Sequence, residues 1–109
     1  MFLSPFTPTS TDEAIQTFVT SFKDAYGETP NQFAADAYDG IYAIKAAAEK
    51  AELTPDMSVS DMCDAMKTAM TEISIDGVTA KGLTWDASGE PSKAPMVVKI
   101  ANGDYAVVE

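Results

Sequence analysis

FVTSFKDAYGETPNQFAADAYDGIY, residues 18–42, decides how this chain folds. It reads as the end of one helix, a stop at Gly27, an extended Glu28-Thr29-Pro30 link and a second helix opening at Asn31. Gly27 suits the stop because glycine enters the left-handed conformation that other residues resist. Asn31 suits the start because asparagine is a preferred helix cap. Near the start of the second helix stand Phe33, Tyr38 and Tyr42 beside Asp36 and Asp39. Aromatic rings and carboxylates gathered at a helix start suit the recognition of a small zwitterionic molecule.

Upstream of that stretch, Met1-Phe2-Leu3-Ser4 fits a short strand cut off by Pro5 and Pro8. Ser10-Thr11-Asp12-Glu13 fits a capping box, with the Ser10 hydroxyl on the Glu13 amide. Ile15, Phe18, Val19, Phe22 and Tyr26 recur at helical spacing and predict one apolar stripe on a helix over about 11–26. The second helix is predicted over 31–52, with Phe33, Ala34, Ala37, Tyr38, Ile41, Ile44, Ala48 and Ala51 on its packing face. A third is predicted over 58–72, starting at Ser58 or Ser60, with Val59, Met62, Cys63, Met66 and Met70 on its buried side.

Beyond Gly77 the character changes. Gly82-Leu83-Thr84-Trp85 predicts a short strand, and Asp86-Ala87-Ser88-Gly89 a turn. Residues 95–101 and 105–108 predict two strands joined by Asn102-Gly103, the strongest short hairpin signal because both residues tolerate positive φ. A lone hairpin is marginal in water, so this one is expected to seek a sheet the chain barely supplies.

Composition narrows the function. The chain has 109 residues, 46% hydrophobic and 22% charged, as expected of one globular domain or less. A net charge of −10 is repelled by phosphate backbones and anionic lipid heads, which argues against nucleic acid and membrane surfaces as partners. The sequence holds no histidine, which removes Ser-His-Asp and Cys-His nucleophiles and the commonest zinc ligand. Asp36 and Asp39 lie three residues apart with no opposing partner, and Asp86-x-Ser88-x-Glu90 lacks the later ligands of a calcium loop. No catalytic residue, metal site or cofactor is therefore assigned. Cys63 is alone, so the chain forms no internal disulfide.

Four segments in order, FVTSFKDAYGETPN (18–31), FAADAYDGIYAIKAAAEKA (33–51), DGVTAKGLTWDASGEP (76–91) and APMVVKIANGDYAVV (94–108), carry a resemblance over nearly the whole chain. They resemble the C-terminal third of a type 1 periplasmic solute-binding protein of the branched-chain amino-acid family, which feeds ABC importers. One departure is Ala80-Lys81 before Gly82, where that family usually continues Gly-Val-Thr with glycine.

The resemblance implies an α/β fold, a partial type 1 lobe of three helices, short strands and a C-terminal β-hairpin. In the family two lobes, joined by three crossings, close on an amino acid in their cleft. Residues 1–88 would be the C-terminal part of lobe 1, 89–94 an interlobe crossing and 95–109 the terminal hairpin of lobe 2. Met1 would then be internal and the chain a fragment whose hairpin belongs to a larger sheet. Phe33 matches the aromatic residue that lines the family's side-chain pocket, although a core position also suits it. Asp36, one turn on, could meet a ligand ammonium or be a solvated or capping carboxylate. Tyr38 and Asp39 would brace the helix, and Trp85 and Asp86 would belong to the hinge.

The expected partners are an amino acid, branched-chain or similar, and an ABC permease, with an extracytoplasmic location, periplasmic or lipid-anchored. Self-association or strand swapping is expected of a hairpin without its home sheet. The alternative is a small acidic assembly protein with no ligand of its own.

Overall fold

In the computed structural model, which describes residues 1–108, the elements run β1 (Phe2–Ser4), α1 (Glu13–Tyr26), α2 (Gln32–Lys50), α3 (Val59–Met70), β2 (Met96–Ala101) and β3 (Asp104–Val107). Glu109, the last residue of the expected hairpin segment, lies outside the described residues. The three helices start and stop within two residues of expectation. No helix among the described residues is long and apolar enough to cross a membrane.

The capping chemistry differs at α1. Asp12, not Ser10, is the cap, its carboxylate accepting from the Ala14 and Ile15 amides at 2.9 and 3.1 Å. A charged acceptor outcompetes a hydroxyl for helix N–H groups, and Ser10 instead accepts from the Asp12 amide at 3.3 Å. Gly27 ends α1 at φ 73° and Asn31 opens α2 by accepting from the Ala34 amide, both as predicted. Ser58 caps α3 through the Asp61 amide.

The hairpin closes through Asn102 and Gly103 at φ 55° and 82°. It is not alone: β1 pairs antiparallel with β2, Leu3 opposite Val97, making a three-stranded sheet in the order β1-β2-β3. Phe2, Val98 and Val107 form one row across it. Val98 is buried, while Val97, Ile100 and Val107 stay substantially exposed. The predicted strand at 82–85 reduces to two single bridges, Ile75 with Leu83 and Trp85 with Pro91. Leu83 is fully buried even so.

Two cores form. One gathers Phe6, Ile15, Phe18, Val19, Ala35 and Val78; the other gathers Ala43, Ala47, Ala69 and Ile73, flanked by Met66, Met70, Ile75 and Trp85. The face α2 buries therefore departs from expectation. Ala35, Asp39, Ala43 and Ala47, at steps of four, face inward, while Phe33, Ile41 and Ile44 are exposed. Small side chains let α2 and α3 approach closely, so alanines make the contact and the larger apolar stripe is turned away. In α3, likewise, Ala69 is the buried residue and Val59 and Cys63 are exposed. The outcome is an elongated body of 54 × 30 × 19 Å with a radius of gyration of 16.3 Å. A compact domain of this length has about 13 Å.

Candidate functional site

The first turn of α2 is where the helical body meets the sheet. Pro30 is buried and the Asn31 cap fixes the turn behind it, so the side chains of Gln32, Phe33 and Asp36 leave from a set position. Gln32 and Asp36, four apart, share one helix face. Gln32 Oε1 stands 3.0 Å from the Ser4 hydroxyl, at the end of β1. The Asp36 carboxylate takes a hydrogen bond from Lys93 Nζ at 2.6 Å, in the segment leading to β2. One turn of helix thus touches both segments that connect helices and sheet. Phe33 projects beside them, 75% exposed.

Asp36 is accordingly not a lone anion. Its side chain is 34% exposed and that of Lys93 23%, so the pair is partly desolvated and neutral as a unit. A ligand ammonium would have to compete with the lysine. Phe33 offers what the pair does not, an open aromatic face suited to apolar contact and shape selection.

Tyr38 and Asp39 sit elsewhere. Tyr38 stacks between Phe18 and Tyr42, ring centroids 4.8 and 5.0 Å away, in an aromatic series that continues through Phe22 to Tyr26. The hydrogen bond with the Tyr42 hydroxyl pushes the Tyr38 pKa up, with burial and the charges of Tyr42 and Asp39 adding to it. These rings and Ile41 line a groove of about 1050 Å³ between α1 and α2, which Phe33 and Asp36 do not reach. Asp39, 2% exposed, accepts from the Val78 amide at 2.8 Å, the Thr79 amide at 2.8 Å and the Thr79 hydroxyl at 2.5 Å.

Trp85 and Asp86 form a third place. Trp85 packs half-buried against the core of α2 and α3. Asp86 organises the following turn, accepting from the Ser88 hydroxyl at 2.6 Å and from the Ser88 and Glu90 amides. The Ser88 hydroxyl first, then the Glu90 amide, hold its carboxyl below the ordinary aspartate range. The six residues singled out thus fall in three separate places, and Phe33 and Asp36 lie together on the first turn of α2.

Sequence reasoning gives Lys93 no role beyond membership of the 89–94 crossing. Its signal was a single cation between Pro91 and Pro95, in a chain with only 7 basic residues. Gly77 and Thr79 were noted as a motif but not as the partners of Asp39. Among the described residues no cluster of three histidines, cysteines or carboxylates could hold a metal ion.

The sequence profile of a family described as periplasmic binding protein matches residues 1–104. Among solved structures, the chain is similar to an ABC transporter substrate-binding protein from Desulfitobacterium hafniense in complex with Leu: 22% identity, 94% of this chain, 29% of that one, TM-score 0.74. A solute-binding protein from R. palustris in complex with benzoate aligns at 18% identity over 97% of this chain and 28% of that one, TM-score 0.77. A leucine-binding protein from Thermotoga maritima aligns at 19% identity over 99% and 29%, TM-score 0.73. At these identities the structures establish the shared fold, and this chain spans under a third of each relative's length. No curated protein matches the chain.

Proposed function

The chain belongs to the periplasmic binding protein family, and from that premise we propose that it forms one wall and part of the hinge of an extracytoplasmic receptor that captures an amino acid for an ABC importer. The observation that carries the reading is the first turn of α2, where the exposed Phe33 shares a turn with Gln32 and Asp36, which bond to the two chain segments joining helices to sheet. A residue so placed would contact solute where two lobes meet.

In this reading residues 6–88, rather than the expected 1–88, are the returning part of lobe 1, since β1 pairs with the hairpin, and 89–94 cross to lobe 2, where the hairpin lies. Because β1 joins the same sheet, Pro5, between β1 and the core residue Phe6, becomes a second crossing. Phe33 gives apolar contact to an aliphatic or similar side chain. Tyr38, Asp39, Trp85 and Asp86 hold the wall and hinge in shape. The role is binding without catalysis: solute is held in the cleft and passed to a permease when the hinge opens. The receptor works in the periplasm or is lipid-anchored at the cell surface.

Titration calorimetry with leucine, on this chain alone and on the protein as its gene encodes it, tests the reading. The chain alone should give no heat, since one wall cannot enclose a solute, and the encoded protein should bind leucine or a related solute from a small panel. Submicromolar binding by the chain alone, or a reading frame with no further lobe, would sink it.

A second reading, an acidic assembly module, draws on the sheet. Its outer strands β1 and β3 are edges, and Phe2, Leu3, Ile100 and Val107 are exposed on its faces. Such edges invite pairing or strand exchange between copies. Sedimentation of this chain at rising concentration should show association, and a compact monomer throughout would exclude it.

A further inference from the structure

The chain is pinned to the helical body as far as Ser92 and released immediately after. Ser92 donates its amide to the Thr84 carbonyl at 2.9 Å, and its hydroxyl oxygen accepts from the Thr84 amide at 3.0 Å. Pro91 takes part in the bridge with Trp85. From Met96 the backbone belongs to the sheet. Between these anchors lie Lys93, Ala94 and Pro95, whose one main-chain bond is local, Lys93 amide to Pro91 carbonyl at 2.9 Å. The Lys93 side chain is what ties this short free segment back to α2, through Asp36, 57 residues away in sequence.

The second connection is shorter, because Phe6, two residues past β1, already lies in the helical core. It leaves β1 at Ser4 and carries Pro5, and Ser4 reaches Gln32, one helical turn before Asp36. The Ser4 hydroxyl is shared, because it also lies 2.6 Å from the Phe6 carbonyl, so the neutral contact to Gln32 is the weaker tie. A third link, from the Thr9 hydroxyl to the Tyr105 carbonyl at 2.6 Å, is exposed. The ion pair is the charge-assisted and partly desolvated member of the three, and such bonds are roughly twice as strong as neutral ones.

We infer that Lys93 and Asp36 form a latch, an ion pair that holds the sheet and the helical body in one relative orientation and whose opening frees them to swing about the short connections at Pro5 and at 93–95. The inference rests on the hinge reading above. It assigns Asp36 to the mechanics of closure and leaves solute contact to Phe33. Lys93 is a positioning residue: it acts on the cleft through the angle between the two bodies. Prolines on either side of it limit the segment's own flexing, so motion concentrates where the latch controls it.

Single-molecule energy transfer tests this, with dyes on Cys63, exposed on α3, and on Lys99→Cys in β2. The protein is taken as its gene encodes it, with any other cysteine replaced by serine. The wild type should show one dominant distance. Asp36→Asn and Lys93→Met should each raise the population at a second distance by about two- to fivefold, the range expected of a partly exposed pair, and added salt should act in the same direction. The exchanged pair Asp36→Lys with Lys93→Asp should restore the dominant distance, which a merely structural role for either side chain would not do. Unchanged distances in both single variants, or no recovery in the exchanged pair, would overturn the latch. Calorimetry on the same variants separates the two ideas: distances that respond in a protein that binds no solute keep the latch and discard the receptor.

Discussion

The Asp39 carboxylate occupies the space that a side chain at Gly77 would need: a Cβ on Gly77 would overlap it. That carboxylate is pinned by three donors from Val78 and Thr79 and cannot step aside. Gly77→Ala should therefore destabilise the chain by about 1–3 kcal/mol, the range for overpacking a filled site. Asp39→Ala, which strands three donors, should lower stability by about 2–4 kcal/mol, and Thr79→Val, which removes one, by about 1 kcal/mol. Urea unfolding with unchanged slope checks the order. Equal losses for Asp39→Ala and Thr79→Val would mean the carboxylate is not the organising group.

The contact of α2 with α3 runs through Ala43, Ala47 and Ala69, all buried. Ala47 is fully buried in that contact, so Ala47→Leu should force the helices apart and destabilise by about 1–3 kcal/mol. Ile44→Ala, on the exposed side of the same helix, should change stability by less than about 0.5 kcal/mol. Thermal unfolding of the two variants side by side reads the difference. A larger loss at Ile44 would place the packing face where periodicity alone puts it.

Asp86 titrates below its ordinary value because its ionised form accepts from the Ser88 hydroxyl and the turn amides. The folded value is the lower one, so this carboxylate favours the turn above the unfolded value and the contribution disappears as pH falls through the folded one. The window lies below about pH 4. A carboxyl NMR titration should place the Asp86 midpoint under that of a free aspartate, and Ser88→Ala should move it upward. A midpoint unmoved by Ser88→Ala would remove the hydroxyl as the cause.

The local elements were legible because their signals are local. Gly27, Asn31 and Asn102-Gly103 act within a few residues, and each stands where the sequence puts it. The face of α2 was not legible in the same way. Phe33, Ile41 and Ile44 form the stronger apolar stripe, yet burial depends on which neighbour lies close, and alanine contacts leave little periodic trace. The pairing of Leu3 with Val97, 94 positions apart, has no local signature. Neither does the bond from Lys93 to Asp36, since one lysine in a polar segment looks like any solvated charge. The wall role proposed for Phe33 comes from family resemblance, whereas its openness to solvent is a property of the folded chain.

That openness separates stability from binding. A residue 75% exposed has little burial to lose, so Phe33→Ala should leave the unfolding midpoint of the chain within about 0.5 kcal/mol of wild type. If Phe33 contacts solute, truncating the ring removes apolar area that becomes buried only on binding, and a well-enclosed aromatic contact is worth about 1.5–3 kcal/mol. Affinity for leucine, or for whichever solute the encoded protein binds, should then fall by about tenfold to a hundredfold. Phe33→Leu, which keeps apolar contact but changes its shape, should lose less for aliphatic solutes than for aromatic ones. Calorimetry and thermal unfolding on the same samples decide it: destabilisation without loss of affinity would return Phe33 to the role of a packing residue.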